Sequence, residues 1–224
     1  MKIEMKVHKF ILILIFLFCA ISSISFAKRT YPTEDRNLWL SFDFEYDVTK
    51  KIELEFSEEL RYYKNRTILE ESLTDFGANY EFTDFFKAGL FYRYRALIDD
   101  EESQNELYTN FSFSKEFGKF ELSDRIRLHG KFRIEKDNIY NLRNQIQIAY
   151  EPLKWLKPYF STEIFYRFLY EEGDRVTQAR YRLGTKFKFL KYHAIDVYFL
   201  REQEYNNDKA IHSNVIGIGY SLGF

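Results

Sequence analysis

Residues 36–47 read Arg36-Asn37-Leu38-Trp39-Leu40-Ser41-Phe42-Asp43-Phe44-Glu45-Tyr46-Asp47. Leu38, Leu40, Phe42, Phe44 and Tyr46 are apolar, and Ser41, Asp43, Glu45 and Asp47 between them are polar. A period of two sends successive side chains to opposite faces of an extended chain, so the stretch predicts a strand with one apolar and one charged face.

The pattern repeats outward from there. Ile52, Leu54, Phe56, Leu60 and Tyr62 alternate with Glu53, Glu55, Ser57, Glu59 and Arg61, with Glu58 an exception on the apolar side. Phe76, Ala78, Tyr80 and Phe82 follow, then Phe86, Ala88, Leu90, Tyr92 and Tyr94, and the alternation continues to Ile216, Ile218, Tyr220, Leu222 and Phe224. About eleven such segments are separated by turn signals, and none shows a helical period. Nearly every step of the apolar face carries a bulky residue, more than a closed soluble core accommodates. Turned inside out, with fat toward lipid and charge toward a lumen, the pattern describes a transmembrane β-barrel. Closure satisfies every backbone hydrogen bond in lipid.

Composition agrees. In 224 residues, 20% are aromatic and 30% charged, with a formal net charge of −1. That balance has no basic excess, which argues against a nucleic-acid partner. One domain accounts for the length. Lys2, Lys6 and Lys9 precede the apolar run Phe10 to Ile21, and Ser25-Phe26-Ala27 supplies a small-residue cleavage site. We therefore expect a signal peptide over 1–27, a short segment over 28–35 and an outer-membrane β-barrel over 36–224. Cys19, the only cysteine, leaves with the leader, so the mature chain has no thiol chemistry.

Short turns at Val48-Thr49-Lys50, Thr83-Asp84-Phe85, Phe117-Gly118 and Leu190-Lys191 alternate with longer polar connections around 64–71, 97–104, 134–139, 171–177 and 206–211. Short turns belong to the periplasm and long loops to the exterior. Tyr46, Tyr80 and Tyr150 then lie toward the short turns, and Tyr62, Tyr92, Tyr94, Tyr166, Tyr170 and Tyr181 toward the loops, as two aromatic girdles. Trp155 reads as a periplasmic anchor. Tracing back from Phe224 sends the first strand downward, which conflicts with the even strand number usual in such barrels. The expectation is ten to twelve strands, with the N-terminal segment forming a partial strand or crossing the lumen.

The last strand, Asn214 to Phe224 (NVIGIGYSLGF), resembles the C-terminal signal of outer-membrane barrels, with Tyr220, Leu222 and Phe224 as its key positions. With Leu38-Trp39-Leu40, the acidic run near Glu58-Glu59-Leu60-Arg61, and Ala179-Arg180-Tyr181-Arg182-Leu183-Gly184, the mature chain resembles the domain-of-unknown-function 2490 family over Arg36 to Phe224. The resemblance implies an outer-membrane location, a barrel fold and the assembly machinery as a partner during biogenesis. It transfers no catalytic residues.

Among candidate sites, the lumen is the most informative. Folding hairpins about their turns pairs Glu81 with Lys87, Asp75 with Arg93, Arg180 with Glu202 and Lys186 with Asp196. The first hairpin instead opposes like charges, Asp43 to Glu55 and Glu45 to Glu53. Water must screen this acidic patch (Asp43, Glu45, Glu53, Glu55), or basic residues from across the lumen must meet it. Arg93, Arg125, Arg127, Arg143, Arg180 and Arg182 are the basic candidates. A salt-bridged plug fits a narrow interior better than a watery, porin-like passage.

His129 and Glu106 are candidates for an interstrand catalytic pair at the rim, although a histidine in a polar network explains them as well. Asp99-Asp100-Glu101-Glu102 lacks the glycine and spacing of a calcium loop and reads as a solvated acidic loop, at most bridging cations to lipopolysaccharide phosphates. No cofactor or metal is indicated. The reading is a structural or interaction barrel or a narrow pore with a charged, salt-bridged lumen, in contact with outer-membrane lipids and lipopolysaccharide. The alternative is a lipid-modifying enzyme with an interstrand rim site.

Overall fold

Among the residues that the computed structural model describes (34–98, 102–132, 138–169, 171, 173–205 and 212–224), eleven strands follow one another with no helix. They are β1 Glu34–Asp47, β2 Ile52–Tyr63, β3 Ile68–Thr83, β4 Phe86–Leu97, β5 Glu102–Phe117 and β6 Phe120–Phe132. After them come β7 Ile139–Tyr150, β8 Leu156–Phe168, β9 Arg175–Phe189, β10 His193–Glu204 and β11 His212–Gly223. The expected leader over 1–27, residues 28–33, Asp99 to Glu101 of the acidic loop and Tyr170 lie outside the described residues.

Each strand pairs with its sequence neighbours, and β1 closes the barrel against β11. Ten successive antiparallel pairs leave the first and last strands running the same way, so the closing pair is parallel. Its register runs from Glu34 opposite His212 to Glu45 opposite Gly223. This resolves the conflict over strand number: the barrel is odd-stranded, and β1, 14 residues long, takes in Glu34 and Asp35, while residues 28–33 of the segment expected to form a partial strand or cross the lumen lie outside the described residues.

Connections are tighter than composition suggests. The expected long connection around 64–71 is only a short turn, because β3 starts at Ile68. Lys64, Asn65 and Arg66 all take positive φ (47°, 56° and 70°), a costly run for residues with a Cβ. The Asp35 carboxylate holds this turn, accepting from the backbone N–H of Lys64 (2.9 Å) and of Asn65 (3.2 Å). The β1–β2 turn is correspondingly longer than Val48-Thr49-Lys50. The Thr49 hydroxyl accepts from Lys51 N and Ile52 N, at 3.1 and 3.0 Å, and stitches in one further residue. The first hairpin therefore slides by two positions: Glu45 faces Glu55, Asp47 faces Glu53, and Asp43 faces Ser57. The other four pairings hold in the register, Glu81 with Lys87, Asp75 with Arg93, Arg180 with Glu202 and Lys186 with Asp196.

The two faces separate cleanly. Outward positions carry large exposed apolar side chains on strand after strand, among them Leu183 (64% exposed), Phe76 (59%) and Leu90 (56%). Tyr46, Tyr80 and Tyr150 lie exposed toward the short turns and Tyr92, Tyr94, Tyr166 and Tyr181 toward the loops, while Tyr62 is buried with Leu60 and Leu69. Trp155 is exposed and stacks on Phe187 with centroids 6.5 Å apart.

Two carboxylates break the outward apolar pattern. Glu58 accepts from Ser72 Oγ (2.5 Å) and Thr74 Oγ1 (2.6 Å), and Asp124 accepts from Asn144 Nδ2 (2.6 Å). Neutral donors on neighbouring strands satisfy both.

Inward-facing glycines shape the interior. A Cβ at Gly217 would fall inside the Tyr198 ring, one at Gly77 would strike the Phe91 ring, and one at Gly184 would meet the Tyr159 hydroxyl at 2.6 Å. Each ring is the direct cross-strand neighbour of its glycine. The missing side chain lets the ring lie along the wall, a cross-strand pairing known to stabilise glycine in sheets.

Candidate functional site

Six rings point inward and are buried: Trp39, Phe91, Tyr108, Tyr159, Phe165 and Tyr198. Leu73, Leu200 and Val215 fill the space beside them. On these rings the lumen arginines stack. Guanidinium carbons lie 3.9 Å from the Tyr108 centroid (Arg127), 4.1 Å from Trp39 (Arg61), 4.2 Å from Tyr198 (Arg182) and 4.3 Å from Phe165 (Arg143). A planar cation on a ring face away from water gains both dispersion and electrostatic attraction.

Carboxylates tie the edges of the same cations. Glu163 accepts from Arg143 at 2.9 and 3.1 Å and from Arg125 at 3.2 Å, and lies 3.9 Å from Arg180. Arg180 donates to Glu202 at 2.6 Å. Arg93 grips Asp75 with two prongs, both 2.6 Å. Arg127 donates to Asn110 at 2.7 Å. Arg182 has its ring contact but no ion pair among the described residues. Rings, guanidiniums and buried carboxylates thus make a layer across the lumen.

The acidic patch is separate from that layer. Asp43, Glu45, Glu53 and Glu55 face inward near the short turns. Lys87 Nζ meets Glu53 at 3.1 Å and Glu55 at 3.9 Å, and Asn79 donates to both. Asp43 accepts from Ser41 Oγ at 3.3 Å. Arg125 and Arg143 are taken by Glu163 and Arg182 by Tyr198, so the expected cross-lumen anchoring of those arginines by the first hairpin is not what the fold builds.

Of the assembly-signal residues, Tyr220 stacks on Phe42 (5.9 Å) and its hydroxyl meets His193 Nδ1 at 2.6 Å, while Leu222 is buried. Phe224 accepts from Asp47 N (2.9 Å) through its carbonyl, and its own N–H reaches Glu45 O at 3.0 Å. The C-terminus is thereby locked onto β1.

His129 Nε2 lies 2.8 Å from Glu106 Oε2. Glu106 is fully buried and also serves Arg95 (3.1 Å) and Lys131 (3.5 Å), and the edge of His129 meets the Tyr108 ring. No hydroxyl or thiol among the described residues hydrogen-bonds to His129. Among the described residues, no group of three His, Cys, Asp or Glu could hold a metal.

Above the layer, toward the long connections, lies a chamber of about 580 Å³. Seven arginines (61, 93, 95, 143, 167, 175 and 180) and Lys131 line it, against Glu71, Glu202 and Glu204. Asn141, Thr177 and Gln178 add neutral polar groups and Phe165 an apolar floor. At the opposite end one cavity is lined by Lys154, Lys186, Lys188 and Lys191, and another by Lys87 and Arg125 against Glu81, Asp84, Glu121 and Asp124. Sequence reasoning missed this chamber and the inward rings. Rings on the polar parity opposite a glycine in hairpin register, as Phe91 is to Gly77, were the available signal.

A search among curated proteins finds no match to this chain. A family model described as "Protein of unknown function (DUF2490)" matches residues 36–212. The match runs from the third residue of β1 to the first residue of β11, so the terminal motif from Asn214 to Phe224 lies beyond it, and the extent is shorter than the resemblance over Arg36 to Phe224 implied. With most of the barrel matched, the chain belongs to the DUF2490 family of proteins of unknown function.

Proposed function

We propose that the protein is an integral barrel of the Gram-negative outer membrane, exported by a cleaved leader, whose lumen is closed at its waist and which acts as a structural or interaction barrel. The outward belt of exposed apolar side chains carries the membrane reading. A soluble monomer exposes contiguous apolar patches of only about 300–600 Å². Here bulky residues on every strand from β4 to β9, including Leu90, Leu107, Leu122, Ile148, Phe160 and Leu183, stand in water unless lipid covers them. The aromatic rings toward both ends suit the headgroup boundaries. The long connections then face outward, lipopolysaccharide surrounds the outer rim, and the barrel assembly machinery receives Phe224.

Closure rests on the arginine–aromatic layer. A narrow pore would need a continuous watery path, whereas here four guanidiniums are held on ring faces and their neighbours are clamped by Glu163 and Glu202. The test combines fractionation with planar-bilayer recording. We expect recovery with the outer membrane, heat-modifiable gel mobility and an electrically silent bilayer. Recovery as a soluble periplasmic species would overturn the membrane reading. Steady single-channel steps would overturn closure and leave the narrow pore.

A further inference from the structure

The chamber at the long-connection end combines a cationic lining with a volume, and together they specify a ligand. From its surface we infer that it binds a soluble phosphate-bearing molecule, of the size of a sugar phosphate, that enters through the mouth along the barrel axis. This inference rests on the closed barrel but not on the membrane that surrounds it.

Seven arginines and Lys131 line the space with three glutamates, Glu71, Glu202 and Glu204, while two further carboxylates, Glu106 and Glu163, stand behind the cations. The Glu106 side chain is fully buried and that of Glu163 is 6% exposed, whereas the side chains of Arg95 and Lys131 are 13% and 19% exposed. Each recessed carboxylate is shared: Glu106 among Arg95, Lys131 and His129, and Glu163 among Arg125, Arg143 and Arg180. Sharing holds the cations in place around the space.

The type of cation matters as well. A guanidinium presents a rigid fork that matches phosphate or carboxylate oxygens in pairs, whereas an ammonium is a point charge. Arginine prevails in this chamber and lysine in the cavity of Lys154, Lys186, Lys188 and Lys191 at the opposite end, so these two cationic surfaces differ in geometry and not only in place. At the mouth, Arg167 and Arg175 are direct cross-strand partners, which sets two forks side by side.

The volume lies within the usual range for small-ligand sites, about 300–1,000 Å³. Asn141, Thr177 and Gln178 offer donors and acceptors for hydroxyl groups. The strand ladder is closed all round, which excludes entry from the side and so excludes the headgroup of a surrounding lipid as the source.

The test is titration calorimetry of the full-length protein, purified in neutral detergent, with pyrophosphate, glucose 1-phosphate and glucose as probes. We expect saturable binding of both phosphates and none of glucose, with affinity falling steeply between about 50 and about 200 mM salt as screening grows. Thr177→Trp should abolish binding by filling the chamber without breaking an ion pair. Arg167→Gln with Arg175→Gln should weaken it at least about tenfold, equivalent to about 1.4 kcal/mol. Heat-modifiable mobility reports that each variant is folded, and conductance separately reports on closure. Absence of saturable phosphate binding at low salt, or binding unchanged in both folded variants, overturns the inference.

Discussion

At the scale of single residues, the worth of a charge here depends on what its loss strands. Glu163 is buried among Arg125, Arg143 and Arg180, and the Arg143 side chain is only 9% exposed. Glu163→Gln leaves Arg125 and Arg143 without their carboxylate, while Arg180 keeps Glu202, and breaking a buried pair from one side costs about 3–5 kcal/mol. Glu53 and Glu55 meet Lys87, whose side chain is 43% exposed, so Glu53→Gln with Glu55→Gln should cost no more than about 1 kcal/mol. Thermal midpoints of gel mobility compare the two variants, and the reverse order would show that the acidic patch, not the layer, holds the lumen together. Glu58 poses the complementary case on the outward wall. Ser72→Ala with Thr74→Val removes both of its donors and should destabilise by about 1–3 kcal/mol, while adding Glu58→Leu should restore most of the loss. Failure of the triple variant to recover would mean that the carboxylate has a partner beyond those two hydroxyls.

At the scale of strands and turns, closure depends on the parallel β1–β11 seam, and its last backbone bonds involve Phe224. Its ring also packs against Tyr192 at 4.9 Å and Phe44 at 6.2 Å. Deleting Phe224 should therefore impair assembly far more than deleting Asp99 to Glu101 between β4 and β5. Surface abundance measures this, and equal values would remove the seam from any role in assembly. Gly217→Val tests the ring-over-glycine device, since the new side chain must displace Tyr198 and with it the Arg182 stack. Overpacking of this kind costs about 1–3 kcal/mol, and a second change, Tyr198→Ala, should make Gly217→Val less harmful than it is alone. Equal penalties in both backgrounds would show that ring and glycine do not share the space. The strands themselves were legible because alternation is local, whereas the first hairpin slid by two positions because a hydroxyl, that of Thr49, chose the turn.

For the molecule as a whole, an odd number of antiparallel strands forces a parallel closure, and that closure leaves one lumen with two unlike ends. Alternation along the chain by itself determined an all-β fold with an apolar and a charged face, because side-chain parity is a property of the extended backbone and needs no partner. It also determined the pairings Asp75 with Arg93 and Arg180 with Glu202, since a tight hairpin fixes register within a few residues. Only the tertiary structure decided that Arg125 on β6 reaches Glu163 on β8, that Arg180 on β9 lies 5.1 Å from the Trp39 ring on β1, and that arginine collects at one end and lysine at the other. These are relations across the lumen and between non-adjacent strands, set by barrel curvature and strand stagger, and no periodicity within a strand encodes them.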